Sequence, residues 1–320
     1  MFLACQNGND TIVELLLAAG AAAGPAANRV DGMTCLFVAT RAKHLGVVRQ
    51  LVRAPGVVVG GDADDTAMHP MHVACEQGAL EVAKVLHGAG AEPNATLNGT
   101  SCVLVAAGHG HEAVVEWLLS VGVEGNPAGV PLDRMPLSAC CHSGNLRIAR
   151  MLWGAATPAT RAMFAASPVL LQCASRNGFA PLVEWLLDTV QCAAEAVNGT
   201  PPAFCAAEGG HLDVLKALAA RGVDVASVTS TAGFTPLHAA AQYGHDDAMR
   251  FLMSVGADVA ARGGADDIPV LLFPAQGGDE GACRLLVDAG ADVGAAMGDG
   301  TTAVWLAAQG GHVDLVRQLV

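Results

Sequence analysis

The stretch Gly233–Val259 reads GFTPLHAAAQYGHDDAMRFLMSVGADV, and its reading decides the fold. Thr235 stands before Pro236. A hydroxyl followed by proline marks a helix start: the side-chain oxygen accepts a bond from a free N–H, and proline needs no partner at the first helical position. Leu237, Ala240 and Ala241 supply an apolar face, with alanines small enough for a second helix to approach closely. Gly244 suits the left-handed conformation that ends a helix. His245 then leads into a second helix with Ala248, Phe251 and Leu252 at helical spacing. Gly256 ends that helix in the same way, and Ala257, Asp258 and Val259 begin an extended crossing.

The unit recurs along the whole chain. The glycine that closes the first helix falls at Gly8, Gly78, Gly110, Gly144, Gly178, Gly210, Gly244, Gly278 and Gly311, with Lys43 in the one missing place. The intervals are 32 to 35 residues, which only a stacked repeat produces. A second glycine recurs twelve residues later as Gly20, Gly90, Gly122, Gly222, Gly256 and Gly290. Length varies in the crossing, where insertions cost little. Ten units follow, over roughly 1–30 (partial), 31–65, 66–97, 98–131, 132–165, 166–197, 198–231, 232–265, 266–298 and 299–320 (truncated).

This pattern resembles the ankyrin repeat, whose T-P-L-H-x-A signature stands here as Thr235 to Ala240. The resemblance covers nearly all 320 residues. It implies an all-α ankyrin-repeat solenoid of stacked helix-turn-helix units with β-hairpin-like fingers, in one domain spanning 1–320. The copies are uneven. The signature histidine survives as His72 and His238, and its slot elsewhere holds Phe37, Leu104, Ser138, Gln172, Phe204, Leu272 or Trp305. The expectation is that packing mostly replaces the histidine bonds in those copies. Repeat two, with Lys43 and Pro55 in the two glycine places, reads as the weakest joint. Met1 enters within a first helix and Val320 stops within a second one, so the chain reads as a piece of a longer array.

Composition narrows the function. The net charge is −13, with 17 Lys and Arg and no basic stripe, so nucleic-acid binding, which needs phosphate neutralisation, is disfavoured. Acid groups sit in the fingers at Asp62, Asp64 and Asp65, and at Asp266 and Asp267. The first residues lack a basic signal region, and the apolar run from Ile12 to Ala27 is broken by Glu14, Gly20, Gly24 and Pro25. No membrane insertion is expected, and an intracellular location, cytoplasmic or nuclear, follows. The ten cysteines fall mostly in small packing slots with no C-x-x-C, so they read as thiols without a metal or disulfide role. His69, His72 and Cys75 share a helix face, but three groups without matching geometry make a poor metal site. No catalytic motif stands in a proper context.

The expectation is therefore a non-catalytic, monomeric scaffold without cofactors. The resemblance implies recognition of a protein partner along a concave face built from fingers and first helices. Two other readings stand beside it: the regulatory or targeting arm of a larger enzyme or channel, and a structural spacer. The groove positions that the family implies are the residue before the threonine slot and the two residues before the first glycine. Here they include Met33, Met68, Arg134, Phe234 and Ile268, then Arg41, Glu76, Gln77, His142, Arg176, Asn177, Gln242, Tyr243 and Gln276. Phe234 and Tyr243 belong to one repeat, and aromatic rings dominate binding hot spots.

Overall fold

The computed structural model describes residues 1–24, 33–60, 69–126 and 130–320. The chain divides into two compact units, Met1–Thr160 and Arg161–Val320. Each is built from paired helices. In the second unit repeat eight contributes a first helix Pro236–Gln242 and a second helix Asp246–Ser254, as its sequence predicts. Repeat four in the first unit does the same with Cys102–Gly108 and Glu112–Ser120. Fingers form two-residue antiparallel hairpins at Thr96–Leu97 with Thr100–Ser101 and at Arg262–Gly263 with Ile268–Pro269.

Successive first helices pack on one another through small residues. Ala106, Ala107, Ala206, Ala207, Ala240 and Ala241 are all buried. Several first helices are capped at their starts by side chains. Thr34, Ser101 and Thr302 accept from Phe37, Leu104 and Trp305 N–H groups at 3.1, 3.2 and 3.3 Å. Thr235 makes the reciprocal version, its hydroxyl accepting from the backbone while its own N–H donates to His238 Nδ1 at 3.1 Å.

Where the histidine slot holds a donor, it joins a finger to the helix before it. His72 and His238 donate from Nε2 to the finger carbonyls of Thr100 and Ile268 at 2.9 and 3.3 Å. Gln172 is a copy in which the bond survives without the histidine: its Nε2 donates to the matching Thr200 carbonyl at 3.0 Å and to Val197 at 3.3 Å. A long carboxamide reaches the same acceptor as an imidazole. His72 lacks half of the family arrangement. His69 replaces the threonine, and His72 Nδ1 is buried without a partner.

A second histidine row locks helix ends together. His111, His211 and His245 follow the first glycine of their repeats and His44 follows Lys43 in the same place; all four donate from Nε2 to carbonyls of the preceding repeat. The acceptors are Gln6, Glu76, Arg176 and Glu208, at 3.1, 2.7, 3.0 and 3.0 Å. The ring lies flat over the preceding glycine. A Cβ on Gly8, Gly78, Gly178, Gly210 or Gly278 would stand 2.4 to 2.6 Å from an imidazole atom. Lys43 confirms the rule by exception. It takes the left-handed φ of 61°, and the following repeat places Ala79 rather than a ring in that position.

Two departures have local causes. In repeat two Pro55 occupies the second glycine place, and Gly56 takes the left-handed conformation one residue late, at φ 78°. Repeat six has no second glycine. Its second helix, Ala180–Trp185, widens into a π turn over Leu186–Val190 and ends on left-handed Gln191. Before that repeat, a helix Pro158–Ala165 stands in place of a finger, started by Thr157, whose Oγ1 accepts from Thr160 N–H at 3.2 Å.

Gly78 and Gly90 lie in one repeat, are both left-handed, and differ in having a ring overhead. Gly90→Ala is expected to cost only the left-handed strain, about 1–2 kcal/mol. Gly78→Ala should cost at least about 1 kcal/mol more, and the excess should vanish in a His111→Ala background. Urea denaturation of the four variants measures this; equal costs at the two glycines would remove the ring contact as the reason.

Candidate functional site

Among the described residues no three His, Cys, Asp or Glu side chains gather as metal ligands. No helix among them is long and apolar enough to cross a membrane. All ten cysteines are thiols, nine of them buried. Burial pushes Cys140, Cys192 and Cys283 up to about 12, so these thiols stay protonated and act as small apolar groups. Cys102 is the exception: its close neighbours Cys75 and His72 pull it below the ordinary thiol range. It is fully buried between two first helices and lies behind a surface, not on one.

The exposed chemistry lies at the C-terminal ends of the first helices. In the first unit Arg41, Glu76, Arg134 and His142 are exposed, while Met33 and Gln77 are half-buried. Met68 and the acids Asp62, Asp64 and Asp65 lie outside the described residues. His142 Nδ1 bonds the Ser138 carbonyl at 3.1 Å, one turn back. The Arg134 guanidinium lies over the Gly99 turn of the neighbouring finger. A cavity of about 300 Å³ opens between repeats three and four, with Val73, Leu97 and Val105 as apolar wall and Glu76 and His109 at its polar edge.

In the second unit Arg176 and Asn177 are engaged within the protein. Arg176 pairs with Glu208 at 3.3 Å and also reaches Cys205 Sγ at 3.2 Å. Asn177 donates to the Cys173 carbonyl at 2.9 Å. Ile268 is half-buried in its hairpin, with its carbonyl taken by His238. Gln242 and Gln276 are exposed, and Tyr243 is 53% exposed with its ring stacked on His245 at 6.3 Å.

Phe234 has a different setting from Tyr243. Its ring packs edge-on against His238 and Phe273, with centroids 5.4 and 5.6 Å away. It also lies over Gly263 and Gly264, where any Cβ would meet it at 2.5 to 2.8 Å. The ring is half-buried between two neighbouring fingers and holds them in register. Trp305 is the residue that sequence reasoning passed over. It occupies the histidine slot, yet its ring is 52% exposed. Gln309, one turn on, is exposed as well. The sequence signal was the repeat phase itself, which puts Gln242, Gln276 and Gln309 two residues before successive glycines.

The comparisons agree with this architecture. A family model described as "Ankyrin repeats (3 copies)" matches residues 1–97, 71–160 and 170–262. The chain is 37% identical over 76 residues to "Protein fem-1 homolog CG6966" of Drosophila melanogaster, across 21% of this chain and 11% of that protein. It is 29% identical over 175 residues to "Probable E3 ubiquitin-protein ligase XBOS33" of Oryza sativa subsp. japonica, across 52% of this chain and 34% of that protein. The chain therefore spans a third or less of the length of these curated relatives.

The buried His238 gives a pH test. Burial holds its imidazole down at about 4 against an ordinary 6.5, so it is neutral in the fold. Between those values the unfolded chain binds a proton that the folded chain refuses, and stability falls as pH drops from about 6.5 towards 4. His238→Gln should keep the finger bond, as Gln172 does in its own slot, and lose this share of the acid sensitivity. Melting curves across that range measure it; parallel curves for both proteins would exclude His238 as the cause.

Proposed function

The chain belongs to the ankyrin-repeat family, and on that premise we propose that it is a non-catalytic recognition module that binds a protein partner through the exposed ends of its first helices and its fingers. Ankyrin repeats are protein–protein interaction modules. The observation that carries the reading is the setting of Tyr243: a large ring, half exposed, lying nearly parallel to the His245 ring with centroids 6.3 Å apart. A large exposed aromatic ring on a rigid helix end is the kind of residue that dominates binding hot spots. Net charge −13 argues against nucleic acid as the partner. A single repeat domain, a monomeric state and an intracellular location complete the proposal.

A second reading has an observation of its own. The relatives are much longer than this chain, and one of them is named as a ubiquitin ligase. The chain in that case is the target-binding arm of a larger protein, and the chemistry lies elsewhere. Both readings use the same face.

Tyr243→Ala should leave melting within about 0.5 kcal/mol of the parent, as surface changes do. It should weaken capture of the partner from a cell lysate at least tenfold, or about 1.4 kcal/mol. Phe234→Ala should instead lower stability by about 1–3 kcal/mol, because it empties the space between two fingers. Undiminished capture by a folded Tyr243→Ala protein would place recognition on another face.

A further inference from the structure

We propose that the face of repeats eight to ten binds a proline-rich segment in the polyproline II conformation, with basic residues flanking it. This rests on the protein-recognition reading and names the chemistry of the partner. The first helices Pro236–Gln242, Leu272–Gly277 and Ala303–Gln309 pack in succession. Each carries one glutamine two residues before its closing left-handed glycine: Gln242, Gln276 and Gln309. All three are exposed, and none of their carboxamides bonds within the protein. Three free amides therefore stand in one line, one per repeat.

The spacing selects the ligand. Packed helices lie about 8–10 Å apart. A polyproline II chain rises about 3.1 Å per residue with three residues per turn, so it presents the same face every 9 Å or so. A β-strand presents the same face about every 6.8 Å, and an α-helix about every 5.4 Å, so neither keeps step with the row. The polyproline II backbone has no internal hydrogen bonds, and proline has no N–H to offer. Such a ligand needs donors from its receptor, and each glutamine supplies an NH₂ group.

The rings complete the match. Tyr243 adjoins Gln242; Phe273 lies three residues before Gln276; Trp305 lies four before Gln309. Side chains three or four apart share a helix face. Tyr243 and Trp305 are each about half exposed and Phe273 partly so. Aromatic rings beside hydrogen-bond donors are how proline-rich segments are held in general. Charge selects the flanks. The second unit holds 8 Lys and Arg against 17 Asp and Glu, a net of −9. The glutamine row itself carries no ionised group, while Asp266 and Asp299 stand exposed in the adjoining fingers. A partner that is neutral on the row and cationic at its ends meets both conditions.

The test titrates the full chain into a fluorescent synthetic proline tract, three turns long and flanked by lysines, and reads anisotropy. The control peptide keeps the lysines and replaces the prolines with a glycine–serine run. The proline peptide is expected to saturate and to bind at least tenfold tighter than the control, an energy of about 1.4 kcal/mol. Gln276→Ala and Trp305→Ala, both exposed and compatible with a helix, should each weaken it at least about fivefold while circular dichroism is unchanged. The peptide should also reduce acrylamide quenching of the parent protein, which has four tryptophans, and that reduction should be absent in Trp305→Ala at saturating peptide. Equal binding of both peptides, or no saturation, overturns the proposal. If Tyr243→Ala still abolishes partner capture in that case, the protein-recognition reading stands and only the polyproline II ligand falls.

Discussion

An imidazole lying flat on the glycine of the preceding repeat is the contact on which this architecture depends. The last carbonyls of a helix have no partner within it. Here a histidine from the next repeat supplies the missing donor, as His111 does for Glu76. To reach that carbonyl the ring must cross the residue that turns the chain, and only a residue without a Cβ leaves the space. The glycine is thus fixed twice, by its left-handed backbone and by the ring above it. The same contact sets the repeat length, because each helix must stop where the next histidine arrives. Where the ring is absent the rule relaxes. Asn145 and Asp279 replace it and turn inward, capping their own helices through Ile148 and Ala282 at 3.0 Å each. Lys43 is tolerated because Ala79 leaves room above it.

A second set of bonds ties fingers to helices, and it sorts the repeats by quality. His238 is bonded at both nitrogens, to Thr235 behind and Ile268 ahead. His72 keeps only the forward bond, since His69 brings no hydroxyl to its other nitrogen. Gln172 keeps the forward bond with a different side chain. Leu104 and Leu272 have no donor to give and rely on packing. Repeat eight is therefore the most fully bonded of these junctions, and it is also where Phe234 wedges between fingers beside Phe273. A rigid junction holds Tyr243 in place next to it.

The fold was legible because its signals are local and periodic. Thr235-Pro236, the alanine pairs and the glycine phase each specify backbone geometry within a few residues, and recurrence multiplies them. The surface was legible only in part. Phase alone placed Gln242, Tyr243 and Gln276 on an exposed face. It could not show that Arg176 is spent on Glu208 and Cys205, because those partners come from the next repeat and depend on side-chain length. It could not separate Phe234 from Tyr243 either. Both are aromatic and both sit at groove positions, and the difference lies in Gly263 and Gly264, whose missing side chains admit one ring. The π turn at Leu186–Val190 was hidden for the opposite reason: it follows from a glycine that is not there.

Degenerate copies are what let such an array recognise one thing rather than many. A repeat bonded by every signature residue presents the same face each time and can read only a repeating ligand. Substitution at the slots that touch the next repeat costs cohesion, so it concentrates where other contacts compensate, as with Gln172. Substitution at the two residues before the glycine costs little in cohesion where those side chains face solvent, as Gln242, Tyr243, Gln276 and Gln309 do; Arg176 and Glu208, which pair across two repeats, are the exception. Along repeats seven to ten these positions read Glu208-Gly209, Gln242-Tyr243, Gln276-Gly277 and Gln309-Gly310. The first residue keeps its length while charge drops out after Glu208, and the second is glycine in every one of these repeats but the eighth, where it is the ring of Tyr243. Glycine beside glutamine opens space for a ligand to approach the amide, and Tyr243 closes that space at one end. The row is thus regular in its donors and irregular in its shape, which fixes where along it a ligand starts.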